Sequence, residues 1–216
     1  MMPTKFRPTT FPLFCALLIF SGVFPQSVSA QESLAAGKAL YQSCLTCHGE
    51  QGQGNALLKS PALAGQYAWY IRRQLAHFRS GIRGSQSGDS PGQQMAAVSR
   101  QLQGEADIDL LAAYIETLPG TPGVRGEQAT GNKNGYRYYQ GKCGACHGSE
   151  GRGNVLFNAP KLSGQHADYL LAQMKHFTEG RRGADKKDKF GRQMAMMAKT
   201  VSKEQLRDIV DYLVAL

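Results

Sequence analysis

Apolar positions along the chain fall into one continuous run and two matching sets of amphipathic stretches. The run spans Phe11 to Phe24, behind Lys5 and Arg7 and ahead of the small residues Val28, Ser29 and Ala30. A basic start, an apolar centre and a small-residue site predict a secretory signal peptide over residues 1–30, with Gln31 opening the mature chain. The run is short for a membrane span, and an uncleaved anchor is the competing reading. Further on, apolar residues recur at helical spacing over Leu34–Tyr41, Tyr67–Phe78 and Ile108–Leu118. They do so again near Tyr136–Tyr139, His166–Phe177 and Leu206–Leu216. No segment alternates as a half-buried strand would, so the expected fold class is all-α.

The two sets are copies of one pattern. Cys44-Leu45-Thr46-Cys47-His48-Gly49 returns 99 residues later as Cys143-Gly144-Ala145-Cys146-His147-Gly148. The same offset of 99 carries Pro61, Leu63, Gly65 and Gln66 to Pro160, Leu162, Gly164 and Gln165. It also carries Tyr70, Gln74, His77, Arg83 and Met95 to Tyr169, Gln173, His176, Arg182 and Met194. Between Val98 and Ile108 the offset falls to 98, and it then pairs Tyr114 with Tyr212. A period this long is domain-sized, so the chain reads as a tandem duplication rather than a solenoid. The expected domains are residues 31–120 and 124–216, joined around Pro119-Gly120-Thr121-Pro122-Gly123, where Pro and Gly end the preceding helix. In each half a loop is expected to carry the repeated methionine.

Composition changes this picture in one respect. With 216 residues, 42% of them hydrophobic, each half is small enough that its own apolar core is marginal. A large apolar cofactor in each half would relieve that. Of the five cysteines, Cys15 lies in the N-terminal run, leaving Cys44, Cys47, Cys143 and Cys146. Two C-x-x-C pairs suit a redox motif, zinc half-sites or haem anchors, and the neighbouring residues decide. C-x-x-C-H is the haem c attachment signature. Thiols one helical turn apart can bond two carbons on one porphyrin edge, and the adjacent imidazole can then reach the iron. A thiol oxidoreductase would bring a βαβ pattern, which is absent. Zinc would need a fourth strong ligand in each half, for which His77 and His176 are the available candidates.

An electron-carrying haem iron takes two axial ligands, and a Met/His pair raises its potential. His48 and His147 are the proximal candidates. Met95 and Met194 each follow their histidine by 47 residues and are the distal candidates. Met196 and Met197 stand where the first half has Ala97 and Val98, and read as packing residues. His77 and His176 are the rivals for a bis-histidine arrangement. Pro61 and Pro160, 13 residues beyond their histidines, offer carbonyls that could hold the imidazole Nδ1–H. Arg83 and Arg182 are candidates for pairing with haem propionates, with a solvated loop as the alternative.

These residues resemble the dihaem cytochrome c4 family. The likeness rests on the paired Cys-x-x-Cys-His-Gly, the Pro-x-Leu-x-Gly-Gln segments at 61–66 and 160–165, and the two Met-bearing segments, and it covers nearly the whole mature chain. It implies two class I cytochrome c domains related by a pseudo-twofold axis, carrying two covalently bound haem c groups. It further implies His/Met ligation of both irons and electron transfer in the periplasm to a terminal oxidase or from a dehydrogenase.

Charge bears on partners. Residues 31–123 hold 7 basic and 7 acidic residues, whereas residues 124–216 hold 16 and 9, a net +7. A basic second domain points to acidic redox protein partners, among them a membrane terminal oxidase or a periplasmic dehydrogenase. The run Lys186-Lys187-Asp188-Lys189 is a candidate docking patch, or a solvated loop. No recognition motif points to nucleic acid. With both irons six-coordinate, no small-molecule substrate and no catalysis are expected. The rival is an electron-accepting subunit of an oxidoreductase such as a thiosulfate-oxidising enzyme.

Overall fold

The computed structural model describes residues 29–120 and 132–216. Residues 1–28 of the expected signal segment and residues 121–131 of the connection lie outside the described residues. The first half contains α1 (Ala30–Tyr41), α2 (Leu45–His48), α3 (Ala68–Ser80), α4 (Ser90–Ser99) and α5 (Glu105–Thr117). The second contains α6 (Lys133–Tyr139), α7 (Ala145–His147), α8 (Ala167–Thr178), α9 (Lys189–Ala198) and α10 (Lys203–Val214). Among the described residues, extended pairing is limited to two isolated bridges, Asn55 with Ser60 and Asn154 with Ala159. The all-α expectation therefore holds in both halves.

Local chemistry sets the helix ends. Ser202 and Gln205 form a reciprocal capping box at α10, and Ser29 and Glu32 form one at α1 in the precursor chain, which cleavage after Ala30 would remove. In each half the first and last helices cross: α1 packs on α5, and α6 on α10. Glycine permits the close crossing. A Cβ on Gly37 would lie 2.7 Å from the Cβ of Tyr114, and one on Gly135 would lie 2.9 Å from that of Tyr212. Beneath these crossings, Tyr41, Ile71, Leu75, Ile108, Leu111 and Ile115 form one core, and Tyr139, Leu170, Ile209, Val210 and Leu213 the other. Each such apolar side chain contributes roughly 1.5–3 kcal/mol relative to exposure.

The structure reveals a second slip in the repeat. Tyr41 precedes Cys44 by three residues, but Tyr139 precedes Cys143 by four. Both tyrosines make the same contact, the hydroxyl donating to the carbonyl of Gly49 at 2.8 Å or Gly148 at 2.6 Å. The additional residue is absorbed between them. The first half turns through a 3-10 stretch, Gln42–Cys44, and the second through a π-helical stretch, Gln140–Gly144. A π-turn takes up one inserted residue without moving the flanking helices.

The methionine segments are helices, which corrects the expectation of loops. Asp89 caps α4 by accepting from the Gly92 N–H, Pro91 sits in its first turn, and Asp188 caps α9 through the Gly191 N–H.

The halves meet through a reciprocal set of contacts. The Gln66 side chain donates to the Lys161 carbonyl at 3.0 Å and accepts from the Lys161 N–H at 3.1 Å. The Gln165 side chain makes the same pair with Ala62, both at 2.9 Å. The Tyr67 hydroxyl reaches the Arg152 carbonyl, and His166 Nε2 reaches the Gln53 carbonyl. Each of these four contacts has its mate at an offset of 99, as a pseudo-twofold axis requires, whereas Arg73 to Asn158 and Arg181 to the Gly88 carbonyl cross the boundary without one.

Candidate functional site

The proximal histidines close short helical turns that begin at the cysteines. His48 and His147 are both buried. His48 Nδ1 lies 2.9 Å from the Pro61 carbonyl oxygen, and His147 Nδ1 lies 2.8 Å from that of Pro160. A carbonyl only accepts, so Nδ1 carries the proton and donates. Nε2 is then the nitrogen with a free lone pair, and the ring is fixed in orientation. Burial lowers the proton affinity of both imidazoles, and the proline carbonyls pulling the other way do not offset it. Burial thus disfavours the charged form of both rings, which favours a free lone pair on Nε2.

Beside each histidine lies a pair of free thiols. Cys44 and Cys143 are half-buried, and Cys47 and Cys146 are exposed. Burial raises the Cys44 thiol above its ordinary range and pushes Cys143 up to about 11. A thiol-exchange motif works by lowering such a value, so this environment disfavours that rival. Among the described residues, no three His, Cys, Asp or Glu side chains converge as a zinc site would need.

Met95 stands mid-helix in α4, half-buried against the first core. Met194 holds the matching place in α9 and is also half-buried. Met196 and Met197 are exposed. His77 and His176, the rival ligands, face carboxylates across the domain boundary. His77 Nδ1 lies 3.8 Å from Asp188, and His176 Nδ1 lies 3.6 Å from Asp89.

Arg83 and Arg182 are not in a solvated loop. Arg83 donates to Gln74 of its own half and, across the interface, to the Tyr169 hydroxyl at 3.1 Å and Gln173 at 2.8 Å. Arg182 mirrors this with Gln173, the Tyr70 hydroxyl at 2.8 Å and Gln74 at 3.0 Å. Each guanidinium also covers a phenylalanine ring, Phe78 or Phe177, at 4.4 and 4.5 Å. Burial alone would raise the Tyr70 phenol, but Arg182 and Arg83 beside it outweigh burial and lower it. Neither arginine forms an ion pair among the described residues. Their donors are taken up by the Tyr and Gln partners, and Asp188 adds a longer-range attraction to Arg182. The Trp69 indole N–H, by contrast, is buried without a partner. Thiol pairs, oriented imidazoles and an orphaned indole donor fit a covalently tethered macrocycle.

A family model described as cytochrome c matches residues 34–119 and again 132–216. The chain is 34% identical over 178 residues to cytochrome c4 of Thiocapsa roseopersicina, covering 79% of this chain and 85% of that one.

The chain belongs to the dihaem cytochrome c4 family.

It is also 31% identical over 210 residues to the thiosulfate dehydrogenase electron acceptor of Stutzerimonas stutzeri (strain A1501), covering 89% and 91% of the two chains. Among solved structures it is similar to reduced recombinant cytochrome c4 from Pseudomonas stutzeri. The TM-score is 0.69 and the identity 29%, over 85% of this chain and 98% of that one. This c4-family protein thus carries two covalently bound haem c groups, at Cys44/Cys47 and Cys143/Cys146, and acts in electron transfer rather than catalysis. The residues that sequence reasoning missed are Asp89 and Asp188. Their signal was present as an Asp-x-x-Gly at the common offset ahead of each methionine.

Proposed function

We propose that the protein is a periplasmic electron shuttle in which His48 with Met95, and His147 with Met194, ligate the two irons. The observation that carries this reading is the matched pair of buried imidazoles, each oriented by a proline carbonyl in its own half. Haem iron, when bound, supplies a one-electron couple. The chain's own part is to hold and insulate it. Cys44, Cys47, Cys143 and Cys146 tether it, and Pro61 and Pro160 lock the ring rotation of the histidines. The hydrogen-bonded Arg83–Tyr169–Gln173 and Arg182–Tyr70–Gln74 groups keep the halves in fixed register, which suits rapid internal transfer.

Export through residues 1–30 places the shuttle in the periplasm, with working domains over 31–120 and 124–216. Partners are acidic redox proteins, a membrane terminal oxidase or a periplasmic dehydrogenase, met by the basic second half. Exposed Leu57 and Leu58 in the first half, and Val155, Leu156 and Phe157 in the second, offer apolar contact beside the attachment turns. A second reading, an electron acceptor for a thiosulfate-oxidising enzyme, is favoured by the similarity to the Stutzerimonas acceptor.

A redox titration following the methionine-to-iron charge-transfer band tests the ligation. Two such bands are expected, with Met95→Ala and Met194→Ala each removing one. A band unchanged in both variants refutes the assignment. Stopped-flow reduction by a thiosulfate dehydrogenase, against oxidation by a terminal oxidase, separates the two partner readings.

A further inference from the structure

Each methionine helix is capped by a carboxylate that is shared with the opposite domain. Asp188 Oδ1 accepts the Gly191 N–H at 2.8 Å, opening α9, while its Oδ2 lies 3.8 Å from His77 Nδ1 on α3. Asp89 Oδ1 accepts the Gly92 N–H at 2.9 Å, opening α4, while its Oδ2 lies 3.6 Å from His176 Nδ1 on α8. The methionine follows the aspartate by six residues in both halves. All four side chains are nearly buried, with 9–13% of their surface exposed. A Cβ on Gly92 or Gly191 would collide with the capping carboxylate, so the aspartate is seated directly against the helix backbone. His77 Nδ1 has no hydrogen-bond partner of its own and faces Asp188. The charges of Arg73, Arg83 and Arg182 bear on His77, and those of Arg181, Arg83 and Arg182 on His176, while Asp188 also attracts Arg73 and Arg182.

The geometry points to His77 and His176 as crossed positioning residues, each holding the aspartate that anchors the methionine helix of the other domain. A cap fixes where a helix begins, and a helix moves nearly as a rigid rod. Displacing Asp188 therefore displaces Met194, and displacing Asp89 displaces Met95. The consequence is a coupling that crosses the pseudo-twofold axis: loss of His77 in the first domain loosens sulfur ligation in the second. This inference rests on Met95 and Met194 being the distal ligands.

The test uses the holoprotein and reads the charge-transfer band and potential of each haem. Met95→Ala leaves only the second domain's band, and Met194→Ala only the first's. In the Met95→Ala background, His77→Leu is expected to remove at least half of the remaining band and to lower the second haem's potential, while His176→Leu leaves both unchanged. In the Met194→Ala background the roles exchange. His77→Asn, which keeps a donor where Nδ1 stands, is expected to restore the band. If His77→Leu fails to load haem, Asp188→Asn, which keeps the cap acceptor but turns an N–H toward the His77 ring, should produce the same loss, and an intact band in it overturns the arrangement. An effect confined to the mutated domain, or equal in both, overturns the crossed arrangement. So does a His77→Leu spectrum identical to its background. If instead Met95→Ala and Met194→Ala leave both bands intact, it is the ligand assignment that fails.

Discussion

Replacing Gly37 by alanine sets two known effects against each other. In a helix interior, Gly→Ala gains about 1 kcal/mol of helix propensity. At this position the added Cβ would meet the Leu110 carbonyl oxygen and lie 2.7 Å from the Tyr114 Cβ and 3.0 Å from the Leu110 carbonyl carbon. Two of these are backbone atoms of α5 and cannot swing aside, so α1 must back away from a core whose Ile108 and Leu111 are essentially fully buried. Overpacking of this kind costs about 1–3 kcal/mol, and more where backbone must move. Because backbone must move, the steric cost falls in the upper part of that range, about 2–3 kcal/mol, and exceeds the propensity gain for a net loss of about 1–2 kcal/mol. For a domain of this size that is a fall in Tm of roughly 5–10 °C. Calorimetry of the holoprotein measures the fall. Hydrogen exchange locates it, with faster exchange in α1 and α5 and none added in α6 and α10. Gly141→Ala, where nothing lies within 4 Å, is the control and should leave stability unchanged or slightly raised. A Gly37→Ala protein as stable as wild type, or more stable, would refute the close-crossing argument.

Three further outcomes are expected. Tyr139→Phe leaves the Gly148 carbonyl, now bonded at 2.6 Å, without its donor, and should cost about 1–2 kcal/mol in denaturant unfolding of the second domain. Arg83→Leu removes the donors to Tyr169 and Gln173, charge-assisted bonds worth about 1.5–3 kcal/mol each. Small-angle scattering should then show the two domains separating, with both haems retained but both methionine bands weakened, because the crossed His77–Asp188 and His176–Asp89 contacts part with the interface. Burial, followed by the nearby arginines, lowers His77 and His176 below the ordinary 6.5 despite their aspartates. The unfolded chain therefore takes up protons first as pH falls. Stability contributed above pH 6.5 should be lost progressively on acidification through the folded-state values. The measurement is the unfolding midpoint against pH, and His77→Asn with His176→Asn should flatten the slope.

The attachment chemistry was legible in the sequence because it is local. Cys44 ends a 3-10 stretch and Cys47 and His48 lie in the single helical turn that follows it, and no distant contact is needed to bring them together. The Pro61 and Pro160 carbonyls were legible almost as readily, because a loop of 13 residues returns to its own histidine. The methionine segments were expected as loops, whereas Asp89 and Asp188 open them as helices by accepting the Gly92 and Gly191 N–H groups.

What the chain alone could not separate was cofactor contact from domain contact. In a tandem duplication folded about a twofold axis, a residue at the interface repeats as faithfully as one beside a haem. His77, Arg83 and their copies were read as haem-pocket candidates for that reason. Which role each takes depends on how the halves dock. Docking buries Arg83 against Tyr169 and Gln173, and sets His77 against Asp188, 111 positions away along the chain. Local order thus determined the tethers and the helices that carry them. Only tertiary packing, which brings together groups that sequence distance keeps apart, decided that the copies hold one another.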